Sequence, residues 1–282
     1  MNGTNSENWN RGMNMKKMPL ILFDVDGTLT EARQPIKKRM LLALHHLAKE
    51  CEIGFLTGSG MDYIKEQLWP ALNDKVIREN CHLLPCNGTE YAVPAGEDTL
   101  DLSFTPISKE VMQKEVGTET QYELLRYICK LQSDLLKEHP SLPVTGHFIQ
   151  NRGSMINWSP IGRNGDNKER ETFITMDKTF KIRDSYLDAL REHTNNVKIT
   201  AKLGGDTSFD IYPNGWDKTF ALSHFDKQHW DFWFVGDRCE ETGNDYEIYN
   251  LLKPLNRALN TTGPGETIEY IDWYILPEVR KK

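Results

Sequence analysis

The 282-residue chain lacks several things that would fix its class at once. Its five cysteines (Cys51, Cys81, Cys86, Cys129 and Cys239) form no Cys-x-x-Cys pair and are odd in number, which suits a reducing cytosol better than a disulfide framework. Cys81, His82 and Cys86 have no downstream partners to complete a four-ligand zinc set, so buried structural thiols are the expectation. No apolar run reaches the length of a membrane span. The N-terminus is polar and Asn-rich without a signal-peptide hydrophobic region, and Met1–Lys17 is expected to be a disordered leader. A cytoplasmic location without membrane contact follows as an expectation. Basic residues are in deficit: the net charge is −7 and the pI about 5.7, which argues against a nucleic-acid surface. Repeats are absent, and there is no low-complexity segment beyond the leader.

What is present begins at Leu20-Ile21-Leu22-Phe23-Asp24-Val25-Asp26-Gly27-Thr28. A short apolar run closed by turn formers predicts a buried, central parallel strand. It would deliver Asp24 and Asp26 to the carboxyl edge of the sheet, where open α/β folds place their ligands. Two carboxylates one residue apart repel unless a cation sits nearby, and hard oxygen ligands suit Mg²⁺. An Asp-rich turn after a strand is the plainer alternative.

Further along, Ile36, Met40, Leu41, Leu44, Leu47 and Ala48 recur at helical spacing, with Pro35 in a tolerant first turn. Ile53–Leu56 predicts a second strand ending in Thr57-Gly58-Ser59-Gly60, then a helix over about 61–69. Strand, small polar turn and helix start together make a phosphate seat. A third strand over 82–86 leads into a hairpin near Tyr91-Ala92-Val93. Pro94–Thr99 reads as a linker. After it come a long helix (Leu124, Ile128, Leu131, Leu135), strands over 146–150 and 154–159, helices over 169–176 and 181–193, and strands over 197–201 and 206–212. That grouping predicts an α+β module, residues 94–212, inserted into an α/β domain made of 18–93 and 213–282. Trp216-Asp217-Lys218 opens a helix, Phe232–Val235 is a buried strand, and Thr261–Thr267 is a loop capping the final helix.

Four features share one geometry, each just after a predicted strand or at a helix start: Asp24/Asp26, Thr57-Gly58-Ser59, Lys218, and Asp237 with Asn244-Asp245. In a parallel sheet they converge at one edge. Two acids from one strand and a third from another make a Mg²⁺ site, and a lysine with a hydroxyl makes a phosphate clamp. Period-two alternation places Ser208 and Asp210 on one strand face, away from Phe209 and Ile211.

With these strings the chain resembles the haloacid dehalogenase superfamily of phosphotransferases, and more closely its eukaryotic-type phosphomannomutases. The resemblance runs from about Leu20 to the last helix. Its narrow parts are Asn157-Trp158-Ser159-Pro160-Ile161-Gly162-Arg163 and Ser208-Phe209-Asp210 through Gly215-Trp216-Asp217-Lys218. It implies a Rossmann-like parallel-sheet core and makes the insert a cap domain. It also implies that Asp24 is a nucleophile forming an aspartyl phosphate, Asp26 a general acid/base, and Lys218 and Ser59 binders of the transferring group. Metal ligation is implied for Asp24, the Asp26 backbone carbonyl and Asp237, with Asn244 and Asp245 in the same set. Arg33, Arg152 and Arg163 match family phosphate-binding arginines, and Ser208 and Asp210 would hold the sugar. The implied reaction interconverts mannose 6-phosphate and mannose 1-phosphate through a hexose 1,6-bisphosphate, which also serves as activator, for GDP-mannose synthesis. A homodimer through the cap is implied as well.

One departure stands out. Where the family has a further arginine before the Gly-x-Phe strand this chain is expected to have Thr145, a loss expected to weaken the hold on the distal phosphate by about 1–3 kcal/mol. Two alternatives remain at this stage. One is a Mg-dependent sugar-phosphate phosphatase, although the six residues between Asp237 and Asn244 match the longer spacing of the mutases. The other is a silent phosphosugar-binding protein, which would not need an intact Asp24/Asp26/Lys218/Asp237 set.

Overall fold

The computed structural model describes residues 17–95 and 103–281. All but Lys17 of the expected leader, and the part of the expected linker after Ala95, lie outside the described residues.

β1 (Met18–Phe23) is an interior strand of a seven-stranded sheet, and its residues Leu20 to Phe23 are fully buried. A strand covered on both faces has no polar side to alternate with, which is why the run reads as continuously apolar. α1 (Lys38–Ala48) begins three residues after Pro35 and buries Met40, Ala43, Leu44, Leu47 and Ala48. β2 (Glu52–Leu56) returns parallel to β1. α2 (Met61–Asn73) runs four residues past the expected end, through Pro70. Pro70 lies on the wet face beside Glu66, where water can satisfy the freed carbonyl, while Ala71 and Leu72 hold the next turn on the core. α3 (Lys75–Glu79) is capped by the Asp74 carboxylate, which accepts from the Val76 and Ile77 amides. β3 (Cys81–Leu84) follows, stopping two residues short of the expected end because Cys86–Gly88 forms a 3-10 turn with Asn87 at φ 62°.

β4 (Glu90–Ala95) and β5 (Ser103–Lys109) pair antiparallel and complete one edge of the same sheet beyond β3, with β5 outermost. A division drawn at Pro94 therefore cuts through a core hairpin. Pro94 fits there because the pairing of β3 with β4 lies at Ala92 and does not extend to Pro94, so the β3 side of β4 asks for no donor at that position.

After β5 the chain builds a second layer pair. It comprises α4 (Met112–Val116), α5 (Thr118–Glu138), β6 (Ile149–Asn151), β7 (Ile156–Trp158), α6 (Asn167–Phe180), α7 (Ile182–Thr194), β8 (Ile199–Gly204) and β9 (Ser208–Pro213). The strands form an antiparallel sheet ordered β6-β7-β9-β8. Its inner face packs Trp158 on Phe209, stacked at 4.6 Å between centroids, against Leu124, Ile128 and Leu190 of the helices. The opposite face presents Asn157, Ser208 and Asp210, the polar half of the period-two pattern.

The chain then re-enters the first sheet. Asp217 caps a 3-10 segment, Lys218–His224, in place of the expected helix. β10 (Trp230–Gly236) lies parallel to β1, followed by α8 (Tyr246–Leu252) and β11 (Ala258–Asn260). α9 (Pro264–Tyr270) leads through a π turn at Ile271–Ile275 into α10 (Leu276–Arg280). The architecture is a parallel-dominated α/β core carrying an inserted α+β cap. No helix among the described residues is long and apolar enough to cross a membrane.

Candidate active site

Register brings the acids together. Phe23 sits level with Val235 of β10 and Phe55 of β2, so the next residues of three parallel strands leave the sheet side by side. The Asp24 amide donates to the Val235 carbonyl at 2.9 Å, the last rung before the chains diverge. Asp24, Asp237 and Asp245 consequently place a carboxylate oxygen each within 4.8 Å of one another. Glycine is required where they crowd: a Cβ on Gly27, whose φ is +80°, would lie 2.2 Å from Asp237 Oδ2.

Lys218 is wholly buried and bonds both Asp24 Oδ1 and Asp245 Oδ1. Burial opposes its charge, but the two carboxylates outweigh burial and hold the ammonium above the ordinary lysine range. Asp24 is pushed up by burial and by its acidic neighbours Asp245 and Asp237, against the pull of Lys218. Asp237 is pushed up to about 6 by burial and by Asp245. Three carboxylates facing one lysine leave negative charge in excess, which a divalent cation offsets. The donor set fits such a cation: hard oxygens only, with the buried Asn244 Oδ1 lacking any partner beside them.

The Asp26 side chain points elsewhere. Its Oδ1 accepts from the Arg33 amide at 2.8 Å, Gln67 Nε2 at 2.9 Å and Tyr63 Oη at 3.4 Å. Arg33 reaches this position at φ 59°, a left-handed conformation that costs a non-glycine residue about 1 kcal/mol or more.

Asp24, Asp26 and Asp237 open onto a cavity of about 300 Å³ between core and cap, with Ser59 of the β2–α2 turn at one wall. Arg33 enters it from the core; Arg152, Arg163 and Arg170 enter it from the cap. Arg163 is lowered to about 10 by burial and by the charges of Arg152 and Arg33. Such a cluster of like charges is a seat for a multiply charged anion. Asn157 organises the cap wall: it donates to Ser208 Oγ at 3.0 Å and Asp210 Oδ1 at 2.8 Å and accepts from Arg163 at 2.9 Å. Arg152 spans to the core, donating to the Gly58 carbonyl at 2.6 Å.

All twelve residues expected at the site lie in or directly behind this cavity, with two differences of placement. Lys218 and Asp245 stand behind Asp24 rather than on the cavity wall. Thr145 is not the site of a lost cation. It lies off the cavity wall, with its amide and hydroxyl both donating to the Ile161 carbonyl, at 2.9 and 2.7 Å. The third cap cation is Arg170, whose Nη1 donates to Thr207 Oγ1 at 3.0 Å. Nothing in its charged helical surroundings marks Arg170 in the sequence. Gln67 did carry a signal, as a polar residue at a position where the helical apolar period demands burial, and Asn157 did as the polar residue between Ile156 and Trp158, in phase with the wet face.

A family model for eukaryotic phosphomannomutase matches residues 40–275. The chain belongs to that family. It is 39% identical over 259 residues to the phosphomannomutase of Schizosaccharomyces pombe, covering 90% of this chain and 93% of the relative. It is 36% identical to that of Encephalitozoon cuniculi, covering 90% and 92%. Among solved structures it resembles an IMP-bound Plasmodium falciparum IMP-nucleotidase, with a TM-score of 0.58 at 14% identity over 94% of this chain and 69% of the other. That likeness shows the fold alone. As a member of the phosphomannomutase family the chain is an enzyme, and membership favours the mutase over the phosphatase reading of its sequence.

Proposed function

We propose that this chain interconverts mannose 6-phosphate and mannose 1-phosphate, passing the phosphoryl group through Asp24 and a hexose 1,6-bisphosphate. The observation that carries this is the cavity's two charged ends. One end holds a buried nucleophile-and-lysine cluster; the other, in the cap, holds three arginines beside a sugar-sized polar wall. A mutase must hold one phosphate while it transfers another, whereas a plain phosphatase has no use for the second anion seat.

In the forward half-reaction an Asp24 oxygen attacks phosphorus, the bond from phosphorus to the sugar oxygen breaks, and Asp26 protonates the leaving oxygen. In the return half the same Asp26 carboxylate takes the proton of the attacking sugar hydroxyl. Lys218 fixes the Asp24 carboxylate and neutralises part of its charge, and Ser59 lies within the wall facing the transferred group. Arg152, Arg163 and Arg170 hold the distal phosphate, with Ser208 and Asp210, set by Asn157, bonding the sugar hydroxyls. Mg²⁺, when bound by Asp24, Asp237 and the Asp26 carbonyl with Asn244 and Asp245 alongside, supplies charge neutralisation at the transferring group. A supply of mannose 1-phosphate for GDP-mannose synthesis, a cytoplasmic setting and a homodimer through the cap belong to the same reading.

The test is a coupled assay with mannose 1-phosphate, Mg²⁺ and a catalytic amount of sugar bisphosphate. Accumulation of the 6-phosphate, lost in a folded Asp24→Asn variant, supports the proposal. Release of free phosphate without the 6-phosphate would favour the phosphatase, and full activity in Asp24→Asn would remove the proposed nucleophile.

A further inference from the structure

The β8–β9 hairpin carries Ser208 and Asp210 at the cap wall, and two ion pairs tie it to the core segment that carries Asp237, Asn244 and Asp245. At the hairpin's turn, Asp206 Oδ1 accepts from Nη2 of Arg238 at 2.5 Å, and Arg238 directly follows Asp237. Along β8, Lys202 bonds Glu247, which sits in the first turn of α8, two residues past Asp245. Lys202 is level with Asp210 in the strand pairing, so this pair lies on the same sheet face, directly beside a residue of the cavity wall.

The turn between the strands is itself rigidly held to the cap. Arg183, anchored on Asp177 at 2.7 Å, donates to the Gly205 carbonyl at 2.8 Å, and Arg170 holds Thr207. Moving the turn therefore moves the cap with it. Both pairs cross from one sheet to the other, and neither fold needs them to form. With Arg238 and Asp206 about one-third and nearly one-half exposed, that pair alone is weak and salt-sensitive, which suits a contact that must open at every exchange of substrate, while Lys202 and Glu247 are more buried and less screened.

We infer that the Arg238–Asp206 and Lys202–Glu247 pairs bracket the cap onto the metal-binding loop and thereby set how much phosphoryl group is lost from Asp24 to water. The inference rests on the mutase reading above. The loss is simple hydrolysis: a water oxygen bonds to phosphorus, the phosphorus–oxygen bond to Asp24 breaks, Asp26 takes the water's proton, and inorganic phosphate leaves. Transfer to a sugar uses the same two carboxylates, so access to the phosphoryl group separates the two outcomes. The four bracket residues act through the stance of the cap and are positioning residues.

Asp206→Asn and Glu247→Gln remove one charge from each pair without changing shape. Each is expected to raise inorganic phosphate released per isomerisation by about two- to fivefold. Raised NaCl should produce the same rise in the unaltered protein and less in the double variant. A charge-swapped Lys202→Glu/Glu247→Lys chain should recover part of the original ratio, which a merely structural role would not give. Cap stance is read separately from activity, by the distance between spin labels on Cys129 of α5 and a Lys49→Cys in the core, with inorganic phosphate present. The variants should show a larger population of long distances. An unchanged distance distribution together with an unchanged release ratio overturns the bracket. If the unaltered protein forms no 6-phosphate, the reaction is wrong, and the label distances still decide whether the bracket holds the cap.

Discussion

Gln67 donates its side-chain amide to Asp26 Oδ1 at 2.9 Å from a position 1% exposed. Together with the Arg33 amide and the Tyr63 hydroxyl it holds the carboxylate in one rotamer, on a helix packed into the core. In the proposed reaction Asp26 meets two different sugar oxygens in turn, and a proton donor with that task benefits from a fixed stance.

Gln67→Leu keeps the buried volume and removes that bond. Losing one hydrogen bond to a charged group, about 1.5–3 kcal/mol, predicts a fall in kcat of about 10- to 100-fold with a smaller change in KM. Steady-state kinetics on the folded variant checks it. Tyr63→Phe, at the longer 3.4 Å contact, should cost less.

Among the described residues Lys218 is the sole ammonium placed between Asp24 and Asp245. Its truncation to Ala leaves both carboxylates buried without their partner, a loss of about 3–5 kcal/mol in the cost of unfolding. Denaturant titration should show a lowered midpoint. Burial already raises Asp24, and protonating it relieves part of the uncompensated charge, so the deficit should shrink as the pH is lowered, and Mg²⁺ should recover part of it at neutral pH.

Arg170 and Thr145 predict opposite kinetics. Arg170→Ala removes a cap cation and should raise KM about 10-fold or more, at a loss of about 1.5–3 kcal/mol for a charged hydrogen bond. Thr145→Val, away from the cavity, should leave KM within about twofold and cost only the hydroxyl's bond to the Ile161 carbonyl, about 1 kcal/mol of stability. Equal effects of the two changes in a Michaelis–Menten comparison would refute this division of roles.

The thiols give a chemical check on the fold. Burial pushes Cys51 and Cys81 up to about 12 and Cys86 up to about 11, and Cys239 is raised by burial too. Since the thiolate is the reactive form, these four stay protonated and shielded at pH 8. Only the exposed Cys129 should react quickly with a disulfide reagent in the native protein, against all five in denaturant.

Local chemistry made much of this legible. The unbroken apolar run Leu20–Phe23 predicts a buried strand because a strand covered on both faces tolerates no polar side chain. The residues that follow such strands must then meet at one edge. That is why Asp24, Ser59, Lys218 and Asp237 could be grouped from the sequence. The alternation around Ser208 and Asp210 likewise fixes which face is wet, since strand side chains have a period of two.

Other features depend on distances no local pattern encodes. Pairing alone placed β4 and β5 on the core sheet, because edge strands are chosen by which partner is free, not by composition. Arg170 became a cavity residue only when α6 was laid beside the β8–β9 turn. The ion pairs of Arg238 and Lys202 join residues 32 and 45 apart in the chain. The sequence by itself determined the kind of chemistry, through acids and a lysine at strand ends. Tertiary structure decided which arginines line the cavity and which ion pairs join cap to core, because both arise where the two sheets meet.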